Sequence, residues 1–154
     1  FLGNIEQDKI QENSDGLSSI ANKASSFTIH LSKVGAFPNM NHPRVIWIGI
    51  DKGAESLKIL AEKIELGLEK MRFNPLTLLR TKKESREFKA HLTLGRVRSS
   101  KNMSNLAKLL KETDFSSEDD IPIAEFILFQ STLTPKGAIY TPLLKIKLSN
   151  DKVN

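Results

Sequence analysis

The chain has 154 residues, 39% of them hydrophobic and 27% charged, with 23 Lys and Arg against 18 Asp and Glu for a formal net charge of +5. That length suits one domain or two tightly joined lobes with a real core, and the basic balance favours anionic partners, nucleic acid first. There is no cysteine, which excludes disulfides, thiolate nucleophiles and cysteine-based zinc sites; no run reaches the ~18 apolar residues of a membrane span.

Phe1 to Ile5 opens on apolar residues without a turn or polar lead-in and reads as the exit of a strand. Gln7 to Lys23 carries a sparse apolar stripe at Ile10, Leu17, Ile20 and Ala21. It is expected to be a helix, starting at Gln7 or later near Ser14 or Asp15 as N-cap, with Gly16 weakening it. Phe27 to Val34 alternates at period two and predicts a strand, with Phe27, Ile29 and Leu31 on one face and Thr28, His30 and Ser32 on the other. Gly35 to Pro43 is expected to be a loop. Arg44 to Ile50 is a β-branched run and a strand, expected to pair with the one before it.

Ala54 to Met71 predicts a helix from the stripe Leu57, Leu60, Ala61, Ile64, Leu68 and Met71. Arg72 to Glu87 is a basic connection, read either as a solvated loop or as a flap near an anionic substrate. Met103 to Thr113 is a short helix. Asp114 to Asp120 is an acidic loop; Asp119 and Asp120 lack the further ligands a metal site would need. Ile121 to Leu133 and Tyr140 to Leu148 are strands joined by a turn at Thr134 to Gly137. A strand–helix–strand–strand unit thus occurs twice, in Phe1 to Ile50 and in Phe88 to Leu148, which predicts an α+β fold with internal duplication.

The second unit opens on Phe88 to Arg98, with His91-Leu92-Thr93-Leu94 at its centre. On a strand His91 and Thr93 share one face, and Leu92 and Leu94 the other, toward a core. An imidazole can move a proton near neutral pH, and a hydroxyl and a guanidinium can hold a phosphate oxygen. Strict alternation sets Arg96 opposite His91, so it needs a bulge or twist near Gly95 to join them. Spacing alone is equally met by a strand end with an incidental histidine.

Taken together, F-L-G-N-I at Phe1 to Ile5, V-G-A-F-P-N at Val34 to Asn39, P-R-V-I-W-I-G-I at Pro43 to Ile50, H-L-T-L-G-R-V-R at His91 to Arg98 and S-T-L-T-P-K-G-A-I-Y at Ser131 to Tyr140 form an ordered set. The sequence resembles the two-histidine phosphoesterase superfamily, in the branch of RNA 2',3'-cyclic phosphodiesterases, also called 2'-5' RNA ligases. The resemblance implies two pseudo-symmetric lobes, each an antiparallel sheet with helices on its outer face, and an active-site cleft between them. It implies two His-x-Thr-x motifs. His91 to Leu94 matches the second; the first normally lies just before the F-L-G-x-I piece, so the expectation is that these residues lack the N-terminal strand–helix–strand carrying it. Ala90, where the family usually has proline, and the long basic connection also depart from the pattern.

The resemblance further implies that His91 is one of two catalytic histidines, acting as the base, with Thr93 donating to a non-bridging phosphate oxygen. Arg96 and Tyr140 are expected to bind substrate. No metal and no cofactor is implied, and the expected partner is RNA ending in a 2',3'-cyclic phosphate or carrying a 2'-5' linkage, met by a cytoplasmic monomer. Trp47 is read as core, His42 as exposed, and His30 as a poor stand-in for the missing histidine because His30-Leu31-Ser32 does not match the motif. The competing reading is an RNA-binding module on the same fold without catalysis.

Overall fold

Residues 2, 7–12, 14–71 and 88–150 are described by the computed structural model. The stretch expected to be one N-terminal helix forms two, α1 (Gln7–Glu12) and α2 (Ser14–Asn22). Helix α2 brings Leu17 and Ala21 into buried positions. The strand exit expected at Phe1 to Ile5 and the basic connection Arg72 to Glu87 lie outside the described residues.

The strand expected over Phe27 to Val34 is also two, β1 (Phe27–Ile29) and β2 (Leu31–Phe37). Here β2 runs past Val34 into the expected loop because Gly35, Ala36 and Phe37 find partners in Trp47, Ile46 and Val45 of β3 (Val45–Ile50). A ladder of backbone hydrogen bonds overrides the local turn signal of the glycine. Lys33, at φ 63°, is the irregular residue that shifts the register between Ser32 and Val34. β4 (His91–Arg96) pairs antiparallel with the other side of β3, giving the order β2-β3-β4. The continuous apolar run of β3 follows from its central place in that sheet.

Helix α3 (Ala54–Lys70) and helix α4 (Met103–Glu112) lie where their apolar periodicity puts them, the first burying Leu60 and the second Ala107 and Leu110. The strand expected over Ile121 to Leu133 divides at Ala124 into β5 (Ile121–Ile123), which joins β1, and β6 (Glu125–Thr134). The carbonyl of Ala124 accepts from the Leu148 amide instead. β6 and β7 (Gly137–Lys147) form a long antiparallel hairpin, with the Thr134 hydroxyl closing the turn on the Gly137 carbonyl at 2.7 Å.

The described residues divide into two compact units, and these do not follow the two sequence repeats. One collects residues within Phe1–Phe27, Ile59–Glu87 and Ile123–Asn154; the other residues within Thr28–Lys58 and Phe88–Pro122. Each is assembled from distant segments because antiparallel pairing joins strands far apart in sequence, as β3 joins β4. The core of the first is Leu17, Ala21 and Ala24 against Leu60, Ile146 and Leu148. The second buries Ile29, Ala36, Ile48, Ala107 and Leu110. The fold is therefore α+β with antiparallel sheets. No helix among the described residues is long and apolar enough to cross a membrane.

Candidate active site

Strand pairing decides which side chains of β4 meet. His91 lies opposite Gly49 and Thr93 opposite Trp47, two residues apart on β3, so His91 and Thr93 share a face as alternation predicts. After Thr93 the register slips: Gly95 pairs with Ile46 and Arg96 with Val45. Val45 and Trp47 share a face, so the bulge turns Arg96 onto the face of His91 and Thr93. Strict alternation had set it on the other side. All three side chains are exposed.

The other face of the strand corrects a second expectation. Leu92, opposite the buried Ile48, falls on the other face by alternation, and it lines an apolar hollow of about 380 Å³ with Leu31, Ile50 and Leu57, which His91 also borders. Yet Leu92 is 49% and Leu94 56% exposed. Among the described residues β4 is the outer strand of its sheet, with a neighbour on one side only, and Leu94 sits at the bulge.

The orientation of the His91 ring is set by the backbone. Its Nδ1 lies 2.5 Å from the Lys89 carbonyl oxygen. A carbonyl can only accept, so Nδ1 carries the proton and donates. In the neutral ring this leaves the lone pair on Nε2, which is the form a general base needs. Two aromatic rings flank the imidazole: Phe37 at 5.2 Å between centroids, nearly perpendicular at 83°, and Trp47 at 6.2 Å and 60°. Phe37 and Trp47 also touch each other at 5.3 Å. Trp47, read from sequence as core, is thus half-buried on the His91 face. A glycine opposite a tryptophan, Gly35 against Trp47, was the available signal: a Cβ on Gly35 would fall 2.1 Å from the indole.

His30 is locked into a different set of contacts. Nδ1 meets the Asp51 carboxylate at 2.9 Å, and Nε2 lies 3.0 Å from the Ser117 carbonyl and 3.2 Å from the Ser116 hydroxyl. With a carboxylate on one nitrogen and a carbonyl on the other, both partners are acceptors, which favours the doubly protonated ring. The hydrogen bond to Asp51 is the main cause of its raised pKa. Both nitrogens are occupied, so His30 is not available as a second proton carrier. Asp120, exposed in the acidic loop, pairs with the exposed Lys52. His42 is exposed, and its amide donates to Asn39. Tyr140 belongs to the other unit, on β7 opposite Ser131; it is 65% exposed and packs edge-on against Phe129 at 6.4 Å. Among the described residues no group of three or more His, Asp or Glu side chains is placed to hold a metal ion.

Such a face can take a proton at Nε2 and offer a hydroxyl and a guanidinium to an anion beside it. Comparison with known proteins shows what the chain is similar to. The family model of the 2'-5' RNA ligase superfamily matches residues 3–128. The RNA 2',3'-cyclic phosphodiesterase of Aeropyrum pernix is 33% identical over 150 residues, covering 97% of this chain and 80% of that protein. The enzyme of the same name from Archaeoglobus fulgidus is 35% identical over 143 residues, covering 93% of this chain and 73% of that protein. A crystal structure of a Thermus thermophilus protein superimposes with a TM-score of 0.72 at 25% identity, over 96% of this chain and 74% of its own. Escherichia coli LigT complexed with ATP has the same fold, with a TM-score of 0.61 at 21% identity over 97% of this chain and 72% of its own. The chain belongs to the 2'-5' RNA ligase superfamily.

Proposed function

We propose that the chain is an RNA 2',3'-cyclic phosphodiesterase that opens the cyclic phosphate to a 2'-phosphomonoester by acid–base catalysis. The observation that carries this is the Nδ1 contact of His91 with the Lys89 carbonyl, which leaves Nε2 as the acceptor on the face shared with Thr93 and Arg96. In the reaction, Nε2 of His91 takes a proton from the attacking water as its oxygen bonds to phosphorus. The P–O3' bond breaks, and a second imidazole gives a proton to the departing O3'. Thr93 donates to a non-bridging oxygen where charge develops, and Arg96 offers a bidentate contact to the phosphate. Tyr140 binds the substrate outside the reacting atoms. Joining 2'-5' linkages would use the same two protons in reverse.

The relatives are longer than this chain, which spans 80% and 73% of the two named above. The second imidazole is, in this reading, that of another His-x-Thr-x copy. The protein acts as a cytoplasmic monomer on RNA ends and needs no metal. Incubation with a nucleoside 2',3'-cyclic phosphate, followed by phosphorus NMR, tests the reading. The 2'-phosphate should accumulate, chelator should not slow it, and His91→Ala should lower turnover by roughly 10²–10⁴-fold with an unchanged circular dichroism spectrum. Full turnover in His91→Ala would sink the mechanism.

A catalytically silent RNA-binding module is the second reading. It is favoured by His30, whose two nitrogens are both taken. RNA binding by the parent chain with no product at any pH would establish it.

A further inference from the structure

Three rings meet on the face of the β2-β3-β4 sheet that bears Thr93 and Arg96. Phe37, Trp47 and His91 lie within 5.2 to 6.2 Å of one another, centroid to centroid. Only the imidazole among them can carry a proton. Its Nδ1 is held by the Lys89 carbonyl, and its ring meets Phe37 and Trp47 at steep angles. One hydrogen bond fixes a point of the ring but leaves it free to swing about that bond. Two aromatic neighbours remove the swing.

The indole is built into this place. Gly35 lies directly across the strand pair from Trp47, and a Cβ there would overlap the six-membered ring at 2.1 Å. The sheet has no side chain where the indole lies flat. The placement is also costly, because Trp47 Nε1 is buried with no hydrogen-bond partner among the described residues. An unpaired buried donor is a penalty that phenylalanine would avoid.

We propose that Trp47 is a positioning residue for His91: with Phe37 it holds the imidazole in the plane that keeps Nδ1 on the Lys89 carbonyl and Nε2 available to the phosphate, and Gly35 is the space it requires. The inference rests on the reading of His91 as the proton carrier, but the ring placement can be measured without turnover. Long-range proton–nitrogen NMR spectra of the histidine rings in the whole chain report the tautomer of His91 and the ring-current shift of its carbon-bound protons. In the parent chain His91 should show the Nδ1-protonated form with shifted ring protons. In Trp47→Leu the shift should vanish, a mixture of tautomers should appear, and kcat should fall by roughly ten- to a hundred-fold, as for a group misplaced by about 1 Å, while KM stays close to the parental value. Trp47→Phe, which keeps a ring and drops the orphan nitrogen, should recover most of both signals. If Trp47→Leu does not fold, Phe37→Leu removes the other ring contact and should give the same spectral change. A His91 spectrum unaltered in these variants, or a loss seen in KM alone, overturns the inference. A parent chain without turnover whose His91 spectrum still responds to Trp47→Leu would overturn the proton-carrier reading and uphold the ring placement.

Discussion

Gly35→Ala should disturb the candidate site more than the fold. Gly35 does not have a positive φ, so alanine fits the backbone there. Its Cβ would sit 2.1 Å from Cζ2 and Cη2 of Trp47 and 2.6 Å from Cε2. Ordinary contact begins at 3.4 Å, so the indole must withdraw by about 1.3 Å. Overpacking of this kind costs about 1–3 kcal/mol, and each kcal/mol lowers the melting temperature of a chain this long by about 2–4 °C. Such a movement carries away one of the two rings that flank His91. A shift near 1 Å in a group that supports catalysis can cost up to about a hundred-fold. The assay pairs thermal melting by circular dichroism with kcat on a nucleoside 2',3'-cyclic phosphate. The expected result is a modest fall in melting temperature and a much larger fall in kcat, with Trp47→Phe in the same chain regaining part of both. Gly35→Ala with parental melting and parental kcat would refute the argument that the indole is pinned between Gly35 and His91.

Thr93→Ala should lose one to a few kcal/mol of transition-state stabilisation, roughly five- to several hundred-fold in kcat, with Thr93→Ser retaining most activity; parental kcat in Thr93→Ala would remove Thr93 from the reaction. His30→Gln should destabilise the chain in a pH-dependent way. The folded pKa of His30 is raised above 6.5, mainly by its hydrogen bond to Asp51, so its contribution is complete below 6.5 and fades as pH rises through the folded value. That of Asp51 is lowered below 3.8, by its bonds to the Lys52 amide and His30, so its contribution is present above 3.8 and fades as pH falls through the folded value. The gap in melting temperature between parent and His30→Gln should therefore be widest between pH 3.8 and 6.5 and narrow as pH rises through the folded pKa of His30. A gap of constant width from acid to alkali would show that packing, not the charged pair, joins His30 to Asp51 and Ser117.

Much of this protein is legible along the chain because the relevant physics is local. Alternation and helical stripes located β3, α3, α4 and the β6-β7 hairpin, since burial of one face needs those periods. The His91 motif and its shared face with Thr93 follow from period two alone. Elements broke where pairing was not local: β1 parts from β2, and β5 from β6, because each piece joins a different partner strand. The two sequence repeats were equally visible, yet the compact units interleave them, because strands pair across the repeats.

The chemistry of the site divides in the same way. Residue type and spacing put an imidazole, a hydroxyl and a guanidinium within six positions, and the class of reaction came from the resemblance that the ordered motifs carry. Only the tertiary structure brought Arg96 onto their face, through a bulge that depends on the partner strand β3. It alone moved Trp47 from an expected core to the side of His91, because the face of a strand is set by the neighbours it pairs with. And it alone disposed of His30, since a histidine's nitrogens are assigned by groups that reach it from elsewhere in the chain, here Asp51 and Ser117.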